Sequence, residues 1–191
     1  MKTSFPFLAG YLNFRITLFS LAIFIQLSLF SQPYEEIQTS DSPDSSALVS
    51  YGITADIDNQ TIFVGAPQDN TDQNEGSYLS SSGSVFVLSQ DPAKYWNQIQ
   101  KLTASNRQSG AGFGTSVKFD LESGIYAIIG APGHKPIAGS TKRGAGFIFK
   151  QLASGYWQQT AEIFPAGTWG MAGLADRVDI YDRFAIIAAA S

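Results

Sequence analysis

The sequence predicts an all-β protein made of repeated, four-stranded antiparallel sheets, and three observations support this prediction. Eighteen of the 191 residues are glycine, 13% are aromatic and only 15% are charged, a composition typical of turn-rich β proteins. Short segments dominated by Val, Ile, Phe and Tyr alternate with Gly, Pro, Ser and Asp, without a sustained helical period. The chain also matches itself when it is shifted by 61 residues, and internal repetition of this kind indicates a repeat architecture.

Residues 1–31 have the pattern of a signal peptide. The apolar stretch 16–30 follows Arg15 and is 15 residues long, whereas a membrane span needs about 20. A small residue, Ser31, precedes Gln32 and Pro33, which predicts cleavage between Ser31 and Gln32. We therefore expect a secreted or cell-surface protein without a membrane span after cleavage; an uncleaved anchor is the alternative.

Charge and cysteine content exclude several classes of protein. The first 31 residues contain two basic residues and no acid, which leaves 10 basic against 16 acidic side chains and a net charge of −6. A nucleic-acid binder needs a clustered basic face, so no nucleic-acid partner is expected. The chain has no cysteine, which excludes disulfides and cysteine-linked lipids. Residues 32–47 are rich in Ser, Asp and Glu and predict a flexible linker.

The repeat consists of four landmarks that recur in the same order. An aromatic–glycine pair is followed by Gly-Ala-Pro, then by a Gly-containing aromatic segment and a Tyr-Trp segment. The units span residues 48–104 and 105–166, and a partial third copy spans 167–191. The first two landmarks are Tyr51, Gly52, Gly65, Ala66 and Pro67 in the first unit and Phe113, Gly114, Gly130, Ala131 and Pro132 in the second.

The third copy departs from these landmarks. Val178 matches Val117, Leu174-Ala175 stands in place of the aromatic–glycine pair, and the alanines 188–190 stand in place of Gly-Ala-Pro. We expect the same strands there in spite of the substitutions.

Each complete unit contains four segments of strand character, which in the second unit are 113–121, 125–131, 146–150 and 156–164. The segment before Pro132 is continuously apolar, so both faces of that strand should be covered. Small four-stranded sheets that cover one another are propeller blades. Pro132 cannot donate a ladder hydrogen bond and should end its strand, while Gly130 and Ala131 are small enough to let the chain turn where blades crowd.

These landmarks resemble the FG-GAP repeat, which builds the β-propeller of integrin α chains and of many bacterial and eukaryotic surface proteins. The resemblance covers residues 50–191 and implies an incomplete propeller of about two and a half blades, since propellers close with about four to eight. An open set of blades exposes apolar strands, so the chain alone is expected not to form a closed, stable monomer.

Calcium-binding members of the resembled family carry an Asp-rich loop, DxDxDG, between the two landmarks. Here each such interval has only two or three acids on a short turn, where Asp and Asn are common for conformational reasons. Calcium takes six to eight oxygen ligands, so no calcium site and no other cofactor is expected. The residues concerned are Asp56, Asp58, Asn59, Asp120, Glu122, Asp179 and Asp182.

No catalytic constellation is visible in the sequence. His134 is the only histidine and there is no cysteine, so neither a zinc site nor a Cys/His dyad is possible, and nothing resembles the G-x-S-x-G nucleophile motif. The glycines of 110–114 lack dinucleotide-binding spacing. Trp96 and Trp157 recur at equivalent positions and are expected to pack in the core. Asn59 begins a formal glycosylation sequon.

The resemblance implies a non-catalytic scaffold that takes part in adhesion or binds an extracellular protein or glycan. We expect the ligand to bind the long loops after Gly-Ala-Pro, residues 68–82 and 133–143. One alternative is a propeller module attached to an enzyme whose catalytic domain lies beyond residue 191, which the downstream reading frame would reveal. Another is a carbohydrate-binding propeller, which needs exposed aromatic residues; Tyr78 is the one aromatic residue in these loops.

Overall fold

The computed structural model describes residues 50–121, 125–135, 144–164, 173–182 and 184–189. These residues form ten β-strands and no helix, which confirms the predicted all-β class. The predicted signal peptide and linker lie outside the described residues. The strands are β1 (Thr54–Asp58), β2 (Thr61–Ala66), β3 (Ser84–Gln90), β4 (Trp96–Leu102), β5 (Ser116–Asp120), β6 (Tyr126–Ala131), β7 (Ala145–Gln151), β8 (Trp157–Ile163), β9 (Leu174–Tyr181) and β10 (Phe184–Ala189).

The strands form three antiparallel sheets in which each strand pairs with its neighbour in the chain. Sheet 1 has the order β1-β2-β3-β4, sheet 2 has the order β5-β6-β7-β8, and sheet 3 consists of β9 and β10. The described parts of these sheets do not close into a ring. The three sheets therefore correspond to two propeller blades and the first half of a third, as the repeat predicted.

The sheets repeat in detail as well as in outline. In both complete sheets the pairing of the last two strands shifts register at one point, between Val87 and Leu88 in sheet 1 and between Ile148 and Phe149 in sheet 2. These bulges lie 61 residues apart. A bulge bends and twists its strand, so the two outer edges have the same curvature.

The hydrophobic core lies between successive sheets. On β6, Ala127 and Ile129 belong to the cluster shared with sheet 1, whereas Ile128 belongs to the cluster shared with Ala175 and Val178 of sheet 3. Successive strand residues point to opposite faces, so a strand covered on both faces must be apolar at every position. The prediction that the continuously apolar strands are covered on both faces is thus confirmed.

The two Gly-Ala-Pro landmarks end their strands at the predicted place. Strands β2 and β6 end at Ala66 and Ala131, directly before proline. The expectation that Gly130 and Ala131 form the turn is wrong, because both are paired with β7. The turn begins at the proline, which has no N–H to donate.

Candidate functional site

The aromatic–glycine pair begins each sheet and is bonded to the Gly-Ala-Pro strand of the same sheet. The N–H of Gly114 donates to the carbonyl of Gly130 at 3.0 Å, and the N–H of Gly52 donates to the carbonyl of Gly65 at 3.0 Å. Gly52 and Gly114 have φ values of 84° and 92°, a conformation that glycine adopts at no steric cost. The two landmarks of each unit are therefore joined within one sheet.

The aromatic residues of these pairs pack differently in the two sheets. Phe113 is fully buried and meets the ring of Phe147 edge-on, with ring centroids 5.4 Å apart. Tyr51 is partly buried and meets Phe86 edge-on at 5.3 Å. Both rings thus contact the third strand of their own sheet and serve as core residues.

The glycine of Gly-Ala-Pro also touches the next sheet. A Cβ atom on Gly65 would collide with the carbonyl oxygen of Gly114, and one on Gly130 would collide with that of Ala175. The landmarks of consecutive units therefore form the junction at which the sheets meet, and the glycine is required because the backbones approach so closely.

The third copy keeps this geometry although its residues differ. Ala175 has a φ of 67°, and its carbonyl accepts a hydrogen bond from the Ser116 hydroxyl at 2.9 Å. Ala188 pairs with Arg177 as Gly130 pairs with Ser116. The register thus agrees with the assignment of these alanines to the landmark positions.

Aspartates between the landmarks link each sheet to the next. Asp58 of the β1–β2 hairpin accepts a hydrogen bond from the N–H of Leu121 at 2.9 Å. Asp120 of the β5–β6 hairpin accepts one from the N–H of Asp182 at 3.0 Å. Carboxylates at the calcium-loop positions therefore bind the backbone of the following hairpin.

An ion pair and a cleft lie beside these hairpins. Lys118 Nζ is 2.7 Å from Asp56 Oδ1, and the other oxygen of Asp56 accepts the Phe119 N–H at 3.0 Å. A cleft of about 570 Å³ opens here, lined by Asp56, Ile57, Asp58, Lys118, Phe119, Asp120, Asp179, Ile180 and Tyr181. Nowhere in the described ranges do three or more His, Cys, Asp or Glu residues form a group that could hold a metal ion.

The loop 68–82 is held in one shape by its own aspartates. Asp72 accepts hydrogen bonds from the N–H groups of Asn74 and Gly76 at 2.9 Å and of Ser77 at 3.0 Å. These bonds, led by that from Gly76, lower the pKa of Asp72 to about 2. The carboxylate therefore stays ionised and holds the turn at any pH above this value.

A buried ion pair fixes the base of the same loop. Asp69 is fully buried, and its carboxylate lies 2.8 Å from Nζ of Lys101 on β4. Lys101 also reaches Glu75 Oε1 at 3.0 Å and the Thr71 hydroxyl at 2.7 Å. One lysine thus ties three side chains of the loop to the outer strand of sheet 1.

Arg107, which lies between the two sheets in the chain, holds the other side of the loop. Its guanidinium donates to the carbonyls of Ser77 at 2.8 Å and Asn70 at 2.9 Å and to the hydroxyl of Ser82 at 2.8 Å. Loop carbonyls also accept N–H bonds from the segment that precedes β5, such as Gly112 to Ser81 at 3.1 Å.

The predicted binding loop is therefore only partly open. Residues 79–82 support the junction between sheets, whereas the stretch 73–78 is exposed. Tyr78, at the end of this stretch, is 68% exposed. Of the second predicted loop, residues 136–143 lie outside the described residues.

The described start of the second loop carries a buried pair that the sequence prediction missed. His134 is fully buried, and its Nε2 lies 2.8 Å from Glu162 Oε1 on β8. Burial lowers the pKa of His134 to about 4 and raises the pKa of Glu162. His134 and Glu162 occupy the positions of Asp69 and Lys101 in sheet 1: the second residue after Gly-Ala-Pro, and a residue of the fourth strand 61 positions away in the repeat. Comparing the two units at these positions could have found the pair.

The tryptophan of the fourth strand lies between the complete sheets. Trp157 is 3% exposed, and its ring meets Phe63 of sheet 1 edge-on at 4.9 Å. The Gln100 amide accepts from the Trp157 N–H and donates to its carbonyl, both at 2.8 Å. Trp157 is a core residue as predicted, and Trp96 is partly buried against the core of sheet 1.

The predicted cleavage site, Ser31 and Gln32, lies outside the described residues. Within the residues that the structure describes, none forms a helix of the length and apolarity needed to cross a membrane.

Comparison with known proteins identifies one repeat directly. The model of the FG-GAP repeat family matches residues 96–149, which run from β4 to the third strand of sheet 2. No curated protein matches the chain.

Proposed function

We propose that this FG-GAP repeat protein is a non-catalytic, exported scaffold of the β-propeller type, and that it binds an extracellular protein through the stretch 73–78. The observation that carries this proposal is a rigid, exposed loop end with a single aromatic residue. FG-GAP repeats are typically found in extracellular proteins, which agrees with the signal peptide expected at residues 1–31.

The loop end is suited to binding because it is ordered before any ligand arrives. Asp72 fixes the turn through three backbone bonds, and Arg107 holds the carbonyl of Ser77, next to Tyr78. Tyrosine offers a large, amphipathic contact area with little conformational entropy to lose. A pre-organised loop loses less entropy on association and so binds more tightly for the same contacts.

The environment of the histidine supports a non-catalytic role. A general base must come within hydrogen-bond reach of the substrate proton, yet His134 has no exposed surface and contacts Glu162 and Phe147 inside the protein. The proposal also includes independence from calcium, because Asp58 and Asp120 are bonded to backbone N–H groups.

The proposal is tested by binding of the purified mature protein to an array of extracellular-matrix proteins and glycans. Tyr78→Ala should weaken binding to the captured protein at least tenfold, since aromatic anchors dominate interface energetics. Tyr95→Ala is the matched control, because Tyr95 is similarly exposed, at 57%, but lies in the β3–β4 turn.

Equal loss of binding in both variants, or binding unaffected by Tyr78→Ala, would contradict the proposed surface. Exclusive capture of glycans would support a carbohydrate-binding propeller instead. Thermal unfolding of both variants should match that of the parent protein, because the two hydroxyphenyl groups are exposed.

A further inference from the structure

The turn 132–135, with His134 at its centre, joins three parts of the protein. The N–H of Gly133 donates to the carbonyl of Ala111 at 2.9 Å, and the carbonyl of His134 accepts from the N–H of Gly144 at 2.7 Å. The Gln108 amide both accepts from the Lys135 N–H at 3.0 Å and donates to its carbonyl at 2.8 Å. Displacing this turn would therefore loosen the contact between the segment preceding β5 and the start of β7.

The imidazole of His134 occupies a site that has no room for an extra charge. Its ring meets Phe147 edge-on at 5.1 Å and stacks on Phe164 at 6.1 Å. Its Nδ1 is buried without a hydrogen-bond partner. An imidazolium would bury an unpaired N–H and a charge between two phenyl rings, which is unfavourable.

The orientation of Gln108 limits the proton positions on the ring. Because Lys135 accepts from and donates to the two ends of this amide, the Gln108 nitrogen faces His134 Nε2, at 3.1 Å. Nε2 therefore accepts a hydrogen bond, and the neutral ring carries its proton on Nδ1. At 2.8 Å from the same Nε2, the Glu162 carboxyl forms a hydrogen bond only when a proton lies between the two atoms.

We propose that the pair His134–Glu162 is a proton-sensitive latch, which holds the turn 132–135 against sheet 2 in neutral solution and releases it in acid. The pair accommodates one proton between Nε2 and Oε1. A second proton creates the buried imidazolium, which becomes hydrated only when the turn moves away from Phe147 and Phe164.

The groups that face the imidazole belong to five parts of the chain. Among the described residues, β8 contributes the titratable Glu162, and the turn itself contributes the charged Lys135, next in sequence. The remaining neighbours are uncharged: Gln108, Asn106 behind Glu162, Phe147 and Phe164.

The direction of the pH dependence follows from linkage. The pKa of His134 is about 4 in the native protein, against about 6.5 in an unfolded chain. Its contribution to stability is thus fully present above about pH 6.5 and is lost as the pH falls toward 4. The raised pKa of Glu162 acts in the opposite sense, because a carboxyl that keeps its proton in the native state favours that state as the pH falls.

Sheet 1 supplies an internal control. There the equivalent pair is Asp69 and Lys101, and the N–H of Gly83 donates to the carbonyl of Asp69 at 2.9 Å just as Gly144 donates to His134. An aspartate–lysine pair holds its charges through the range in which histidine titrates. The amide of Gly83 should therefore be insensitive to the change that affects Gly144.

The experiment is amide hydrogen exchange by NMR from pH 7 to pH 4, with intrinsic rates corrected for pH. Protection of the Gly144 and Lys135 amides should fall by up to about tenfold per pH unit below 6.5, the limit for one proton, while Gly83 stays constant. Glu162→Gln removes the opposing contribution and should bring the slope close to this limit. His134→Gln should abolish it.

Parallel changes at Gly83 and Gly144, or a pH dependence that survives in His134→Gln, would overturn the proposal. Should the His134 variant fail to fold, the imidazole of the parent protein can be titrated directly by NMR. A native pKa at or above 6.5 would then refute the latch, and one near 4 would support it.

Discussion

Replacement of Gly65 by alanine should destabilise the protein strongly, although it adds one methyl group. The new Cβ would collide with the carbonyl oxygen of Gly114 and with Cγ2 of Thr54. Extra atoms in a well-packed interior typically cost about 1–3 kcal/mol. One of the two neighbours is backbone of the adjoining sheet, which cannot move without opening the junction, so we expect about 3 kcal/mol.

This loss is measured by urea unfolding, with tryptophan fluorescence as the signal, because Trp157 lies at the same junction. For a urea dependence of about 2 kcal/mol per molar, the midpoint should fall by about 1.5 M. The melting temperature should fall by about 10 °C.

Two other glycines separate the collision from effects of backbone conformation. A Cβ on Gly76 would lie 3.5 Å from the Asp72 carboxylate, an ordinary contact, so Gly76→Ala should change stability by no more than about 0.5 kcal/mol. Gly52 has open space around its Cβ position but a φ of 84°, so Gly52→Ala should cost about 1–2 kcal/mol through strain alone. The reasoning fails if Gly65→Ala unfolds at the same urea concentration as Gly76→Ala.

Two further predictions concern calcium and export. Addition of calcium or of a chelator should leave the melting temperature unchanged, since Asp58 and Asp120 are bonded to backbone N–H groups; a stabilisation of several degrees that saturates with calcium would contradict this. In a secreting host the N-terminus of the mature protein, read by mass spectrometry, should be Gln32, whereas retention of Met1 on a cytosolic product would refute cleavage after Ser31.

The fold was predictable because its signals are local and repeated. Apolar runs bounded by glycine, proline and aspartate located the strands, and the 61-residue repeat grouped them into sheets. The role of Gly130 and Ala131 was less accessible, since a Gly-Ala-Pro sequence indicates a turn as readily as a strand end. Only the approach of Ala175 from the next sheet explains why the strand needs glycine there.

The candidate site was harder to predict because its contacts join residues far apart in sequence. The loop 68–82 was recognised as long and polar, but the bonds from Arg107 and Lys101 that leave only 73–78 exposed connect residues some 25 to 37 positions apart. Nothing in the local sequence indicates such bonds. The burial of His134 was hidden for the same reason, since its partner lies on β8.

Comparison of the units indicates that pairs of positions, rather than single positions, are what the repeat preserves. A Cβ at Gly114 would meet the side chain of Val85; in the next unit Ala175 replaces this glycine and Gly146 replaces the valine.

The same exchange occurs with charge, where an aspartate and a lysine in sheet 1 become a histidine and a glutamate in sheet 2. The anion moves from the turn after Gly-Ala-Pro to the fourth strand, and the contact across the sheet remains at 2.8 Å. In either exchange, a residue that looks foreign to the repeat is matched by a second change where it touches the structure. The third copy can therefore lose both landmarks and still form a sheet that packs against sheet 2.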